Sequence, residues 1–220
     1  MGKEIDLLVN YPKTKRNVEE RGASKTEEDR VIARQFGKEF FDGDRKNGYG
    51  GFSYHPRFWQ PVIPTFQEHF NLTADSRVLD VGCAKGFMLH DMLERIPGIT
   101  VRGVDISEYA IANTIDDIKP FVQVGNAVDL PFEDNSFDVV ISITTLHNLE
   151  EDECARALGE VERVSRGKSF VTLDAYRNDD EKRMMEAWNL TAKTMMHVDE
   201  WRTFFKRVGY TGDYYWFIPT

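Results

Sequence analysis

The residues best suited to chemistry begin where Arg77-Val78-Leu79 runs into Asp80-Val81-Gly82-Cys83-Ala84-Lys85-Gly86-Phe87. An apolar run, a glycine-rich turn and a helix start make a strand–turn–helix unit, a place to hold a cofactor. Glycine is needed where a chain leaves a buried strand and turns sharply, because a Cβ would block both the turn and close approach of a ligand to the backbone. The helix that follows points unbonded N–H groups at that ligand. A second apolar run, Thr100-Val101-Arg102-Gly103-Val104-Asp105, ends in a carboxylate 23 positions after Gly82. A carboxylate there is placed to hold a ribose.

Three further segments follow in order: Gly125-Asn126-Ala127, then Leu130-Pro131-Phe132-Glu133-Asp134-Asn135-Ser136-Phe137-Asp138, then Val139 to Ile143 leading into Thr145-Leu146-His147-Asn148-Leu149. Together the five motifs resemble the class I S-adenosylmethionine-dependent methyltransferases, in the small-molecule branch with a quinone-biosynthesis-like pattern. The resemblance covers residues 77 to 168. It implies a Rossmann-like, doubly wound, mostly parallel sheet with helices on both faces and an antiparallel C-terminal strand, and S-adenosyl-L-methionine as cofactor. It places Asp80 and Gly82, with Ala84 and Gly86 of the same turn, by the methionine portion. Asp105 then falls on both ribose hydroxyls, Ile106 against the adenine, Asn126 and Ala127 at its edge, and Ser142 near the sulfonium.

Two departures from the family pattern stand out. Ala84 replaces the usual middle glycine and fits the same turn with a negative φ, and Asn126 replaces an acidic residue while keeping a carbonyl oxygen that can accept from an amino group. A dinucleotide dehydrogenase is the sharpest rival, but its fingerprint needs glycines where this chain has Gly82, Ala84 and Phe87. The pair Tyr11 and Lys15 lies far upstream in a polar segment and is a poor catalytic dyad.

On the acceptor side, His147 follows the fourth strand at the cofactor end and is the first choice for a general base, since imidazole titrates near neutrality. The bland reading is that it shapes the pocket floor. Asp174, at the end of the fifth strand, and His55, in a glycine-rich loop, are the other two candidates. Tyr49, Tyr54, Phe58 and Trp59 suggest an aromatic lid, and Arg45, Lys46, Arg57 and Arg177 add positive charge around it. Guanidinium groups pair bidentately with phosphate or carboxylate. The expected substrate is therefore a small phosphorylated or carboxylated metabolite, methylated at oxygen or nitrogen. A protein or RNA methyltransferase and a non-catalytic cofactor-binding module are the alternatives.

Composition limits these readings. The chain has 220 residues, 41% of them hydrophobic, enough for one sizeable core. Its net charge of −9 argues against a nucleic-acid footprint, which needs clustered Lys and Arg. Two cysteines give neither a disulfide framework nor metal-ligand spacing, so no metal is expected and reduced cytoplasm is the expected setting. No apolar run is long enough for a membrane span. A monomer or homodimer is expected.

Residues 1–70 read as an N-terminal extension and substrate lid, and 71–220 as the cofactor-binding core. Within them the periodicity predicts helices over 27–41, 61–70, 86–96, 107–117, 150–164, 179–190 and 198–208. Strands are predicted over 78–81, 100–105, 121–124, 138–143 and 168–174, with two short aromatic strands in 210–218. Such alternation means a parallel sheet covered on both faces.

Overall fold

The computed structural model describes residues 2–13 and 25–219. Lys15, Arg16, Glu19, Glu20 and Arg21 of the polar N-terminal segment lie outside the described residues. The core strands are β1 (Arg77–Val81), β2 (Thr100–Asp105), β3 (Val122–Val124), β4 (Val139–Ile143), β5 (Ser169–Tyr176), β6 (Met196–His197) and β7 (Asp213–Phe217). Their order is β3-β2-β1-β4-β5-β6, with β7 also paired to β5, and every pairing is parallel. β1, β4 and β5 are buried along most of their length rather than alternately. This is the mark of a sheet covered on both faces.

The helices are α1 (Glu27–Ala33), α2 (Lys38–Phe41), α3 (Ile63–Phe70), α4 (Phe87–Arg95), α5 (Glu108–Ala112), α6 (Glu151–Val164), α7 (Asp179–Trp188) and α8 (Val198–Val208). One apolar cluster joins Leu158 and Val161 of α6 and Trp201, Phe204 and Phe205 of α8 to β4, β5 and β7. A second joins Leu7, Val62 and Phe66 to Val78, Met88, Leu89 and Ile141. Leu7 and the segment 62–70 therefore share a core with the strands and helices that follow. Glu4 bridges Tyr214 of β7, and Ile5 N–H donates to the Tyr214 carbonyl at 2.9 Å.

Four sequence expectations are corrected. The C-terminal strand runs parallel to β5, not antiparallel, and 210–218 forms one strand, not two. The connection explains the direction: α7, β6 and α8 carry the chain back across the sheet, and such a crossover delivers a parallel strand. The helix expected over 27–41 breaks into α1 and α2 because Phe36 takes a left-handed φ of 50° and Gly37 restarts the helix. The helix expected over 107–117 stops at Ala112, after which Ile115 N–H turns to the Lys85 carbonyl at 3.2 Å.

Candidate active site

The strand order reverses between β1 and β4, and in open parallel sheets ligands bind beyond the carboxyl ends of the strands at such a point. A cleft of about 1580 Å³ lies there, lined by Asp80, Gly82, Ala84, Asp105, Ile106, Asn126, Ala127, His147 and Asp174.

The turn that opens it is held by its own backbone. Gly82 has a φ of +85°, and a Cβ on it would fall 2.1 Å from Thr145 Oγ1. Ala84 also adopts a positive φ, 49°, where a negative value was expected. The reason is Asp105: its Oδ2 accepts the Ala84 N–H at 2.8 Å, which pulls the turn into the left-handed region. Asp105 Oδ1 accepts the Ser107 N–H at 2.8 Å, so both carboxylate oxygens are fixed by main chain at the end of β2. Each oxygen keeps a further lone pair. Burial pushes the Asp105 carboxyl above its ordinary value, and the two N–H groups oppose that rise.

Beside it, Ile106 is 54% exposed, a large apolar side chain left open at the cleft. A carboxylate at 9% exposure next to an open apolar surface suits a molecule that carries a diol on one part and a flat heterocycle on another. The residues present thus fit an adenosyl group. Asp80 lies deeper, and burial first, then the charge of Asp105, push its carboxyl up to about 8. A cationic ligand group beside it would favour the ionised form.

Asn126 uses its side-chain oxygen to accept the Val128 N–H at 3.2 Å, which shapes the loop after β3. Ser142 and Gly86 do not line the cleft. The Ser142 hydroxyl is buried and donates to the Val81 carbonyl at 2.8 Å, tying β4 to β1. Ile143, Thr144 and Thr145 face the cleft instead. Thr144, at φ 51°, is a β-branched residue in a conformation that costs about 1–2 kcal/mol. Its N–H is shared by the Thr172 carbonyl at 3.1 Å and the Thr172 hydroxyl at 2.9 Å. Sequence reasoning missed this pair, although two hydroxyl residues ending an apolar strand were the available signal.

His147 and Asp174 come together at the far side. His147 lies in the 3₁₀ turn Leu146–Asn148, and its Nδ1 accepts the Asp174 N–H at 3.0 Å. An imidazole accepting at Nδ1 carries its proton on Nε2 when neutral. Nε2 faces Asp174 Oδ1 at 3.5 Å. Burial pulls the His147 pKa down, against the pull of Asp174, so the neutral ring is favoured. The Asp174 carbonyl accepts the Trp201 indole N–H at 3.0 Å.

The other acceptor-side residues divide. Arg45, Tyr49, His55, Arg57, Trp59 and Arg177 line the cleft, but Tyr54 does not. The Tyr54 hydroxyl donates instead to Asp91 Oδ1 of α4 at 2.7 Å. Arg45 donates to the Tyr49 carbonyl at 2.6 Å, His55 Nδ1 accepts the Arg57 N–H at 3.2 Å, and Arg57 lies over the Phe58 ring. Asp42 anchors this N-terminal wall to the turn: it accepts from Lys85 Nζ at 2.6 Å, Tyr109 Oη at 2.7 Å and the Phe52 N–H at 2.9 Å. Burial would raise the Asp42 carboxyl, yet these donors outweigh it and hold the group at about 2.

Residues 79–173 match the methyltransferase domain family. An uncharacterized protein of Haemophilus influenzae is 32% identical over 149 residues, 62% of this chain and 59% of that protein. The demethylmenaquinone methyltransferase of Symbiobacterium thermophilum is 36% identical over 127 residues, 53% of this chain and 49% of that enzyme. The chain thus spans about half the length of these relatives. The YcgJ protein of Bacillus subtilis shares the fold, with a TM-score of 0.52 and 21% identity over 66% of each chain. Among the described residues no helix is long and apolar enough to cross a membrane. The glycine turn, the carboxylate-ended second strand, the parallel sheet and the matched domain together support a class I S-adenosylmethionine-dependent methyltransferase domain over residues 79–173.

Proposed function

We propose that the chain binds S-adenosylmethionine in this cleft and methylates an oxygen or nitrogen of a small anionic metabolite. The observation that carries the cofactor half is the Asp105 carboxylate, pinned by the Ala84 and Ser107 N–H groups beside exposed Ile106. When bound, S-adenosylmethionine supplies an electrophilic methyl group on a sulfonium. The protein's part is to align an acceptor and exclude water, and positioning of that kind is worth up to about 7–11 kcal/mol in well-oriented systems.

The acceptor half rests on charge. Lys13, Lys25, Arg34, Arg45, Lys46, Arg57, Arg177 and Lys193 line the cleft, against Asp6, Asp80, Asp105, Asp174 and Glu181. Among the described residues of a chain of net charge −9, more basic than acidic side chains face the cleft. That is the balance a phosphate or carboxylate needs. For a hydroxyl or protonated nitrogen acceptor, Asp174 is assigned the proton and His147 the task of orienting it. A neutral His147 already carries its proton on the nitrogen that faces the carboxylate, leaving the carboxylate to accept.

The test is transfer of methyl label from S-adenosylmethionine into a cell extract, with an Asp105→Ala control. Label in the small-molecule fraction, absent from the control, is expected. Label in protein or RNA would overturn the substrate class. With the acceptor in hand, Arg57→Ala should raise KM for anionic acceptors and leave neutral analogues unchanged.

A further inference from the structure

Helix α4 carries a second group of chemically capable side chains, His90, Asp91 and Glu94, none of which lines the cleft. One ligand-capable atom from each lies within 4.8 Å of the others. We propose that these three residues bind a divalent transition-metal ion of the zinc type, which clasps the loop 52–60 to α4.

The imidazole is prepared for it. His90 Nδ1 lies 2.6 Å from Asp117 Oδ2, which leaves Nε2 as the nitrogen turned toward the cluster. A carboxylate on the far nitrogen is the usual support of a metal-bound histidine, fixing both tautomer and ring orientation. Nε2 in turn faces Glu94 Oε1 at 3.7 Å. A cation held between this nitrogen and the carboxylate oxygen would engage both. Around a tetrahedral zinc with bonds of about 2.0–2.1 Å, neighbouring ligand atoms sit about 3.3 Å apart. Small side-chain rotations therefore close this pair on an ion.

Asp91 supplies the second, independent observation. It is 1% exposed, and its Oδ2 has no hydrogen-bond partner. A buried carboxylate oxygen without a partner is costly, and a cation is one way to satisfy it. Its other oxygen accepts from Tyr54, whose ring packs edge-on against His90 with centroids 4.8 Å apart. Gln60 donates to Glu94 Oε2 at 3.3 Å, so two loop residues close over the same cluster. One imidazole nitrogen with carboxylate oxygens suits zinc or cobalt, whereas calcium and magnesium favour all-oxygen sets.

The experiment is calorimetric titration of the metal-stripped chain with Zn²⁺, together with Co²⁺ titration followed by visible absorption. One saturable site per chain is expected, with cobalt ligand-field bands, and both His90→Gln and Glu94→Gln should weaken binding by about tenfold or more. Circular dichroism of the metal-free variants verifies that they fold; the Glu94 side chain is half exposed and that of His90 mostly buried, so Glu94→Gln is the gentler of the two. Absence of saturable binding, or unchanged affinity in the doubly substituted chain, would overturn the proposal. The readout needs no methyl transfer, so it fails or succeeds separately from the proposed activity.

Discussion

Binding of S-adenosylmethionine should strengthen steeply with pH because of Asp80. Burial and the neighbouring Asp105 push its carboxyl up to about 8, so the ligand-free chain holds a proton there at neutral pH. A ligand ammonium or sulfonium next to Asp80 favours the carboxylate, and binding must then release that proton. With a pKa of about 8 the ionised fraction is about 1% at pH 6 and about 9% at pH 7. If the ligand binds only the ionised form, the dissociation constant falls about ninefold over that unit, about 1.3 kcal/mol. The window stays below the α-amino range of about 7.7–8.0, so the ligand keeps its ammonium. Among its neighbours, burial lowers the His147 pKa and raises the Cys83 thiol, so both favour the neutral form, while burial also raises the Asp105 carboxyl. Isothermal titration at pH 6.0, 6.5 and 7.0 in buffers of different ionisation enthalpy measures both the affinity and the proton released. Asp80→Asn should bind more weakly at pH 7 and lose the slope. A wild-type affinity that changes less than about twofold, with no proton released, would refute the reasoning, because Asp80 would then share one protonation state in both forms.

The same group gives a stability prediction. The native Asp80 binds a proton up to about pH 8, while an unfolded aspartate loses it near its model value of 3.8, so stability is lost as pH rises between those values. Thermal melts of the ligand-free chain should show a Tm that declines from pH 5 to pH 8, and less steeply in Asp80→Asn. Ala84→Gly removes the penalty of φ 49° and should stabilise by about 1 kcal/mol, raising Tm by about 2–4 °C. Gly82→Ala should cost more than about 1 kcal/mol in a denaturant melt, since it adds strain at φ +85° and meets Thr145. Asp105→Asn keeps one oxygen acceptor but loses the charge, and titration should show about 10–100-fold weaker binding of S-adenosylmethionine.

How much was legible follows from how locally each feature is encoded. The cofactor half lies within one strand–turn–helix–strand unit, 77–105, where residue type and backbone demand coincide. Gly82 and Asp105 could be placed because turn geometry and strand ends follow from short-range pattern. Ala84 shows the limit of that logic. A negative φ seemed natural for an alanine, but its N–H is claimed by a carboxylate 21 positions away in sequence, and that bond decides the conformation. Ser142 shows a related limit: on β4 alternate side chains face opposite sides of the sheet, and its hydroxyl is taken up between β4 and β1 rather than in the cleft.

The proposed acceptor half draws on the N-terminal wall, the loop 52–60, the turn after β4 and the end of β5, which are distant in sequence. No local pattern encodes their meeting, so residue type alone had to stand for role. Tyr54 is aromatic and sits among lid residues, yet its hydroxyl is drawn to a buried carboxylate on α4 and leaves the cleft. His147 is the sharper case. Its position beside the cofactor end of β4 could be anticipated, but its competence as a base depends on which nitrogen is free. That is set by the Asp174 N–H, 27 positions away on β5. Because β5 presents that N–H to Nδ1, the neutral ring holds its proton toward the Asp174 carboxylate. The chemistry of the pair is therefore written in the pairing of β4 with β5, which fixes the turn and the strand end relative to each other. A substitution that shifts this register should disturb proton acceptance while leaving the Asp105 end of the cleft intact.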